Sequence, residues 1–441
     1  MAKNGTPSPG RRAALVAGLR TPFLKAGGDF RDLSAVDLGT LLVNELVARS
    51  GIPPREFDAV IFGQVVPSQL VSLVAREVAL RTQLPKSVQA WTVSRACATS
   101  FQAAADAADQ IALGHADVIV AGGAESLSDA PIFASRKLAQ ALVSASRAKS
   151  LPQKLQAFAG LRLQDVTPVP PALTEPTTGL SMGQSAEQMA QQNGIRREAQ
   201  DAFAALSHRR AADAWASGKL GEEVMHVPVP PRYQRIAAKD NIVRDDTTAE
   251  ALARLSPVFD RQHGTITAGN SSPLTDGAAA VILMSEEKAR ALGIRPLAFL
   301  RSYAFAALDP GEQLLQGPAF AAPVALDRAG LTLADMDLVD MHEAFAAQVL
   351  SNLQWFGSRK FAERIGRKEP LGEIDPGRLN VNGGSIALGH PFAATGARML
   401  WQTAKEMERR KARHALLTAC AAGAMGAAVV LDGPESREES R

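Results

Sequence analysis

The chain is sparing with sulfur: two cysteines in 441 residues. Two thiols cannot make a disulfide framework, and neither lies in a Cys-x-x-Cys pair, so neither a structural zinc site nor any other resident metal is expected. Long apolar runs are missing too. "GAAAVILM" (277–284) and "GAAVVL" (426–431) fall far short of the ~20 residues of a membrane span. Charge of one sign is also scarce, since 48 basic against 45 acidic residues leave +3 and give no reason to expect nucleic acid. The opening "MAKNGTPSPGRR" has no apolar core of a secretory signal and is short for a transit peptide; the closing "ESREESR" holds no peroxisomal signal. A cytoplasmic protein is the expectation.

What is present is an ordinary soluble composition, 46% hydrophobic and 21% charged, on a chain too long for one small core. Strand and helix patterns alternate over 12–129. Residues 12–22, 57–66, 87–95 and 117–126 read as strands. Residues 34–51 and 70–84 have helical apolar spacing, with Ser34 as N-cap and Gly51 just past the C-terminus. Such alternation predicts α/β architecture with a mainly parallel sheet. The pattern recurs over the last ~150 residues, from 286 to 435. "ARSGIPPREFDAVIFGQ" (48–64) aligns with "DRAGLTLADMDLVDMHE" (327–343), pairing Gly51 with Gly330, Asp58 with Asp337 and Val60 with Val339. Two similar α/β halves are expected. Between them, 130–262 reads as an insertion lying over one sheet, with helices near 185–193 and 196–217, before 263–285 completes the first half.

Four stretches could carry chemistry. Cys97, in "SRACATSFQA", stands where a strand pattern gives way to a helix. Helix N-termini stabilise thiolates and can lower a cysteine pKa from ~8.5 to ~3.5–7.5; packing remains the alternative. "NVNGGSIALGHPFAATGARML" (380–400) sets His390 among glycines ahead of a helix, with Pro391 suited to its first turn. It matches neither a P-loop nor G-x-G-x-x-G. "LLTACAAGAMGAAVVL" (416–431) places Cys420 where a strand enters a small-residue loop that would keep the thiol accessible. "DMHEAFAAQ" (340–348) puts His342 and Glu343 between a strand and a helix and is not HExxH. Two thiols and two imidazoles at sheet-to-helix junctions form an activated-nucleophile pattern, with a second thiol free for acid–base work.

At these residues the sequence resembles the thiolase family, from about Arg12 to Asp432. "SRACATSFQA", "NVNGGSIALGHPFAATGAR" and "CAAGAMGAA" resemble its nucleophile, histidine and second-cysteine motifs, and "AGNSSPLTDGAAA" its central motif. The resemblance implies a five-layer αβαβα fold with an inserted loop domain. It implies cleavage of 3-ketoacyl-CoA by coenzyme A, a co-substrate rather than a bound cofactor, to acetyl-CoA and a shortened acyl-CoA. It makes Cys97 the acylated nucleophile, His390 its base and Cys420 the thiol that moves the acetyl α-proton. The N–H groups of Cys97 and Ala422 would form one oxyanion hole, and His390 with a water held by His342 the other. Ser272 would line the pantetheine channel, and Glu343 would contact substrate.

Two departures stand out. His342 occupies a position where most members have Asn, and Ala422 one where many have Gly. The His form, with the insertion, resembles the branch that serves as β-subunit of the trifunctional fatty-acid oxidation complex. That resemblance implies a homo-oligomer (dimer or tetramer) and a hydratase/dehydrogenase α-subunit as partner in an α2β2 complex. Residues 131–164 hold six Lys or Arg and no acid, interleaved with Leu, Val and Phe. This predicts peripheral contact with a membrane or that subunit. A biosynthetic acetoacetyl-CoA thiolase and a non-catalytic acyl-CoA carrier are the competing readings. A decarboxylating ketoacyl synthase would lack a second thiol.

Overall fold

The computed structural model describes residues 11–68, 71–169 and 174–434. The first ten residues, the middle of the proline-rich turn (170–173) and the tail "ESREESR" lie outside the described residues.

The core elements are, in chain order, β1 (Ala13–Arg20), α1 (Ala35–Ser50), β2 (Ala59–Gly63), α2 (Val74–Arg81), β3 (Gln89–Val93), α3 (Thr99–Ala112) and β4 (Val118–Glu125). The insertion contributes α4 (Arg136–Arg147), α5 (Met182–Gln192) and α6 (Arg197–Ala216). There follow β5 (Thr275–Ser285), β6 (Ala298–Ala307), α7 (Gly317–Ala329), β7 (Leu338–Met341), α8 (Ala346–Phe356), α9 (Thr395–Arg410), β8 (His414–Ala421) and β9 (Met425–Asp432). The strands run β7-β8-β9-β6-β1-β5-β4-β2-β3 in a ten-stranded sheet, with the two-residue strand Leu24–Lys25 beside β5. The expected mainly parallel sheet is mixed. β2 pairs in parallel with β3 and β4, and β7 with β8, but β9 pairs antiparallel with β8 and β6, and the strand returning from the insertion, β5, antiparallel with β1 and β4. Antiparallel pairing of Ala13–Leu15 with Ala298–Leu300 joins the halves.

Alternation of side chains sorts the core into layers. Val60 and Phe62 of β2 join the cluster beneath α1 and α2, while Ala59 and Ile61 face the opposite cluster with Phe101 of α3 and Met399 of α9. In the other half, Leu417 and Val429 face that same central cluster, and Leu416 and Val430 face α7 and α8. Helices α3 and α9 therefore lie between two sheet surfaces, and the outer helices complete five layers.

The short repeat has a physical basis. Gly51 and Gly330 end α1 and α7 in the left-handed region, at φ 68° and 69°. Asp58 accepts from the N–H groups of Asp117 and Val118, where β4 begins; Asp337 accepts from those of Arg413 and His414, where β8 begins. The same carboxylate starts the equivalent strand in each half.

The insertion does not lie over one sheet. Its α5 and α6 pack on α8 and the short helix Ser385–Leu388 of the C-terminal half. Its later part is stitched to β1: buried Arg20 binds Glu223 at 2.8 Å and Asp240 at 2.6 Å, and Met225, Val227 and Val229 enter the outer N-terminal cluster. Helix α4, capped by Ser135, buries only Ala141.

Candidate active site

Chain geometry sets Cys97 first. β3 ends at Val93, and Ala96 takes φ 45°, a left-handed conformation unusual for alanine. Thr99 staples the bend, its hydroxyl donating to the Ala96 carbonyl at 2.7 Å and accepting the Arg95 N–H at 2.8 Å. The turn delivers the Cys97 sulfur just ahead of α3, against the N–H groups of Ala422 and of Cys97 itself. The loop that supplies Ala422 follows β8 and is bent by Ala424 at φ 53°. Glu175, from the insertion, holds it by accepting the Gly423 N–H at 3.0 Å.

His390 meets this sulfur, with Nε2 3.1 Å from Sγ and Nδ1 2.6 Å from the Thr395 hydroxyl. It does not stand at a strand-to-helix turn as expected. It follows the short helix Ser385–Leu388 and Gly389, bridges Leu274, and precedes α9 by a 3-10 turn. Glycine is required at 389 for two reasons: its φ is 100°, and a Cβ would come within 2.7 Å of Thr275.

His342 follows β7, its N–H donating to the Thr418 carbonyl at 2.8 Å, and its ring lies 4.2 Å from that of His390, centre to centre. Cys97 Sγ, a His342 nitrogen and a His390 nitrogen lie within 4.8 Å of one another. His342 Nδ1 pairs with the Ser385 hydroxyl at 2.9 Å, and its buried Nε2 has no partner among the described residues. Cys420, paired with Gly426 in the β8–β9 hairpin, is 1% exposed. It packs with Met189, Ile266 and Leu314, so the accessible thiol expected there is instead enclosed. Ser272 donates its N–H to the Ala344 carbonyl at 2.9 Å, in a segment that also bridges Phe345 and His390.

Glu343 departs from expectation. Its buried carboxylate accepts from Ser207 at 2.6 Å, Asn380 at 2.7 Å and the Ile386 N–H at 3.2 Å, which leaves it an internal brace rather than a substrate contact. Gly384 admits it, because a Cβ there would lie 2.2 Å from the carboxyl carbon.

Burial, more than the helix start, sets the charge state of the site. The helix start does not leave Cys97 a standing thiolate: burial pushes its thiol up to about 12, outweighing the two N–H groups that favour the anion. Burial and the Arg398 guanidinium hold His390 down at about 3, and His342 also falls well below the usual histidine range through burial and the neighbouring His390 and Arg398. Burial, reinforced by the charge on Cys97, raises Cys420 well above an ordinary thiol. The resting site therefore holds two neutral thiols and two neutral imidazoles.

The match with known proteins is extensive. The model of the thiolase N-terminal domain fits residues 13–287, and that of the C-terminal domain fits 294–433. The chain belongs to the thiolase family. It is 55% identical to a 3-ketoacyl-CoA thiolase of Erwinia tasmaniensis over 96% of this chain and 97% of that protein. Among solved structures, it resembles an acetyl-CoA acetyltransferase of Bacillus anthracis (TM-score 0.83, 33% identity, covering 96% and 99% of the two chains). It also resembles human mitochondrial 3-ketoacyl-CoA thiolase in complex with CoA (TM-score 0.80, 32% identity, 96% and 98%).

Several residues of this thiolase site escaped the motif reading. Ser385, Thr395 and Arg398 lie inside the quoted histidine stretch, but only the fold turns them toward His342 and His390. Glu125 had a signal, an acid closing the apolar strand "VIVAGGAE". It is wholly buried, accepts from the N–H groups of Val65, Val66 and Ala393, and is raised to about 7 by burial. Two basic residues of the insertion are engaged within the protein, Arg210 by the Leu379 and Pro376 carbonyls and Lys219 by Glu406.

Proposed function

We propose that this chain is a 3-ketoacyl-CoA thiolase, an acyltransferase that cleaves 3-ketoacyl-CoA with coenzyme A in fatty-acid β-oxidation. The observation that carries the reading is the 3.1 Å Cys97–His390 contact beside a second, enclosed thiol.

Cys97 attacks the 3-keto carbonyl as its proton passes to His390 Nε2, whose Nδ1–H then donates to Thr395. The N–H groups of Cys97 and Ala422 hold the tetrahedral oxyanion; one such donor is typically worth ~2.7–4 kcal/mol of barrier. The C2–C3 bond breaks, its electron pair becomes the enolate of acetyl-CoA, and the acyl group stays on Cys97. His342 and His390 face the enolate oxygen while Cys420 delivers a proton to carbon. The proton that His390 took from Cys97 then passes to the Cys420 thiolate, and coenzyme A takes the acyl group from Cys97 with the freed His390 accepting the proton of the incoming thiol and returning it to Cys97 as that sulfur leaves. The enclosure of Cys420 suits this task, because a thiol of raised pKa gives its proton to an enolate and does not compete as nucleophile. Ser272 lines the pantetheine channel, and Glu343 positions the loops that carry His342 and Ser385.

Residues 130–262 cover the acyl-CoA and carry the partner surface. Ten of the nineteen large hydrophobic residues exposed on the described surface fall between 132 and 169, among the basic residues of that stretch. This supports docking on an α-subunit or an anionic membrane, with the enzyme assembled as a homo-oligomer. Among the described residues no helix is long and apolar enough to cross a membrane; the site of action is the cytoplasm.

The test is coenzyme-A-dependent cleavage of short-, medium- and long-chain 3-ketoacyl-CoA, with Cys97→Ala alongside. Activity across chain lengths that vanishes in the variant supports the reading. Activity confined to acetoacetyl-CoA favours the biosynthetic alternative, to which the acetyltransferase neighbour lends weight.

A further inference from the structure

A buried chain of polar groups runs from α9 to His342. Arg398, 1% exposed, donates from Nη2 to the Ser385 hydroxyl oxygen at 3.1 Å. Its other amino group binds Gln402 at 2.9 Å and faces Asp340 at 3.7 Å, which fixes the guanidinium. Ser385, wholly buried, meets His342 Nδ1 at 2.9 Å.

Counting donors against acceptors points to where the protons lie. A guanidinium only donates, so Ser385 spends one lone pair on Arg398. Its own hydroxyl hydrogen needs an acceptor, and the His342 nitrogen is the acceptor within reach. Were Nδ1 protonated, two donors would converge on the serine oxygen and the buried hydroxyl hydrogen would be left without a partner. The satisfied arrangement makes Nδ1 the acceptor and puts the hydrogen on Nε2, the atom with no partner among the described residues.

We propose that Ser385, oriented by Arg398, is a positioning residue that locks His342 in the Nε2–H tautomer, so that it presents a hydrogen-bond donor to the enolate oxygen. With the opposite tautomer His342 would present a lone pair and repel that oxygen. The inference rests on the thiolase reading above. It separates the two halves of the reaction, since acyl transfer at Cys97 uses the N–H groups of Cys97 and Ala422 and does not need the His342 donor.

The experiment follows that separation in Ser385→Ala and in Ser385→Thr, which keeps the hydroxyl. One assay measures exchange of the acetyl-CoA α-protons with heavy water, which requires the enolate. The other measures acyl exchange between acyl-CoA and labelled coenzyme A, which requires only Cys97 and His390. In Ser385→Ala, α-proton exchange is expected to fall roughly 10²-fold, with acyl exchange within about twofold of wild type and Ser385→Thr restoring most of the loss. Equal loss in both assays, or loss in neither, overturns the proposal. Wild-type protein inactive in both assays overturns the thiolase reading instead. Ring ¹⁵N shifts of labelled histidine in the wild-type protein, assigned to His342 by comparison with His342→Asn, give an independent answer. Protonated Nε2 supports the proposal, and protonated Nδ1 ends it.

Discussion

Cys97 Sγ and His390 Nε2 lie 3.1 Å apart as a neutral thiol and a neutral imidazole. The pair stores no ion pair. The proton crosses only as a carbonyl arrives, when the N–H groups of Cys97 and Ala422 acquire an anion to bind. Nucleophilicity is thereby tied to occupancy, and an empty site is protected from the oxidation and alkylation that a standing thiolate invites.

The neutral pair predicts how the free enzyme meets alkylating agents. At neutral pH, wild type and Cys97→Ala should show the same thiolate absorbance in the ultraviolet. Iodoacetamide should modify wild-type Cys97 by a His390-assisted route that varies little between about pH 6 and 9. In His390→Ala the rate should drop roughly 10²–10⁴-fold and rise about tenfold per pH unit, following hydroxide. A thiolate band in wild type that Cys97→Ala removes would disprove the neutral resting state.

Glu125 predicts a pH dependence of stability. Its folded pKa, about 7, stands above the ~4.3 of an unfolded glutamate. A carboxyl raised on folding binds its proton more tightly in the native state, so its stabilising contribution is fully present below the unfolded value. That contribution fades as pH rises through about 7. Melting temperature should fall between about pH 5 and 8 in wild type. Glu125→Gln should flatten the slope while lowering stability throughout, because an amide NH₂ replaces an oxygen that accepts a backbone N–H. An unchanged slope in the variant would assign the dependence to other groups.

The insertion surface predicts binding. Arg136, Lys137, Arg147 and Lys149 are exposed beside Leu142 and Val143, half exposed at 50% and 48%. Neutralising the four should weaken co-sedimentation with anionic vesicles or assembly with an α-subunit, and reduce its salt sensitivity, at unchanged thiolysis of soluble substrate. Retention of both kinds of binding would leave the stretch a solvated face.

Much of this site was legible in the sequence because its chemistry sits in short contiguous motifs. Cys97 and His342 follow strands that hydrophobic spacing marks, whereas His390 and Cys420 are marked by the glycines and small residues around them. The Gly51–Gly330 and Asp58–Asp337 correspondences were visible as letters, and the fold explains them as matching helix ends and strand starts. What escaped was set by distance along the chain and by burial. Asp240 has no local pattern that would pair it with Arg20, 220 residues away. Glu343 sits in a motif yet turns inward, since only the packing of Ser207, Asn380 and Ile386 decides its direction. The charge state of Cys97 was beyond the sequence for the same reason: helix-end position is a property of sequence order, whereas the burial that outweighs it, and the Ala422 N–H that opposes it, come from segments remote in sequence.

Gly384 tests whether Glu343 is a brace. A methyl group there would lie 2.2 Å from the Glu343 carboxyl carbon, closer than any relaxed contact, so Gly384→Ala must displace the carboxylate or the loop. Either movement breaks buried bonds to Ser207, Asn380 or Ile386, and a buried acceptor or donor left unpaired costs about 1–3 kcal/mol. The displaced loop carries Ser385 and leads to His390, so the damage should reach chemistry as well as stability. Gly384→Ala should therefore melt lower and lose turnover, with a smaller change in KM. Glu343→Gln is the informative partner, because it fills the same space and keeps one acceptor oxygen. As a brace, Glu343 predicts that this variant loses stability but retains substrate affinity. A Glu343→Gln enzyme of wild-type stability with a sharply raised KM would instead return Glu343 to the substrate.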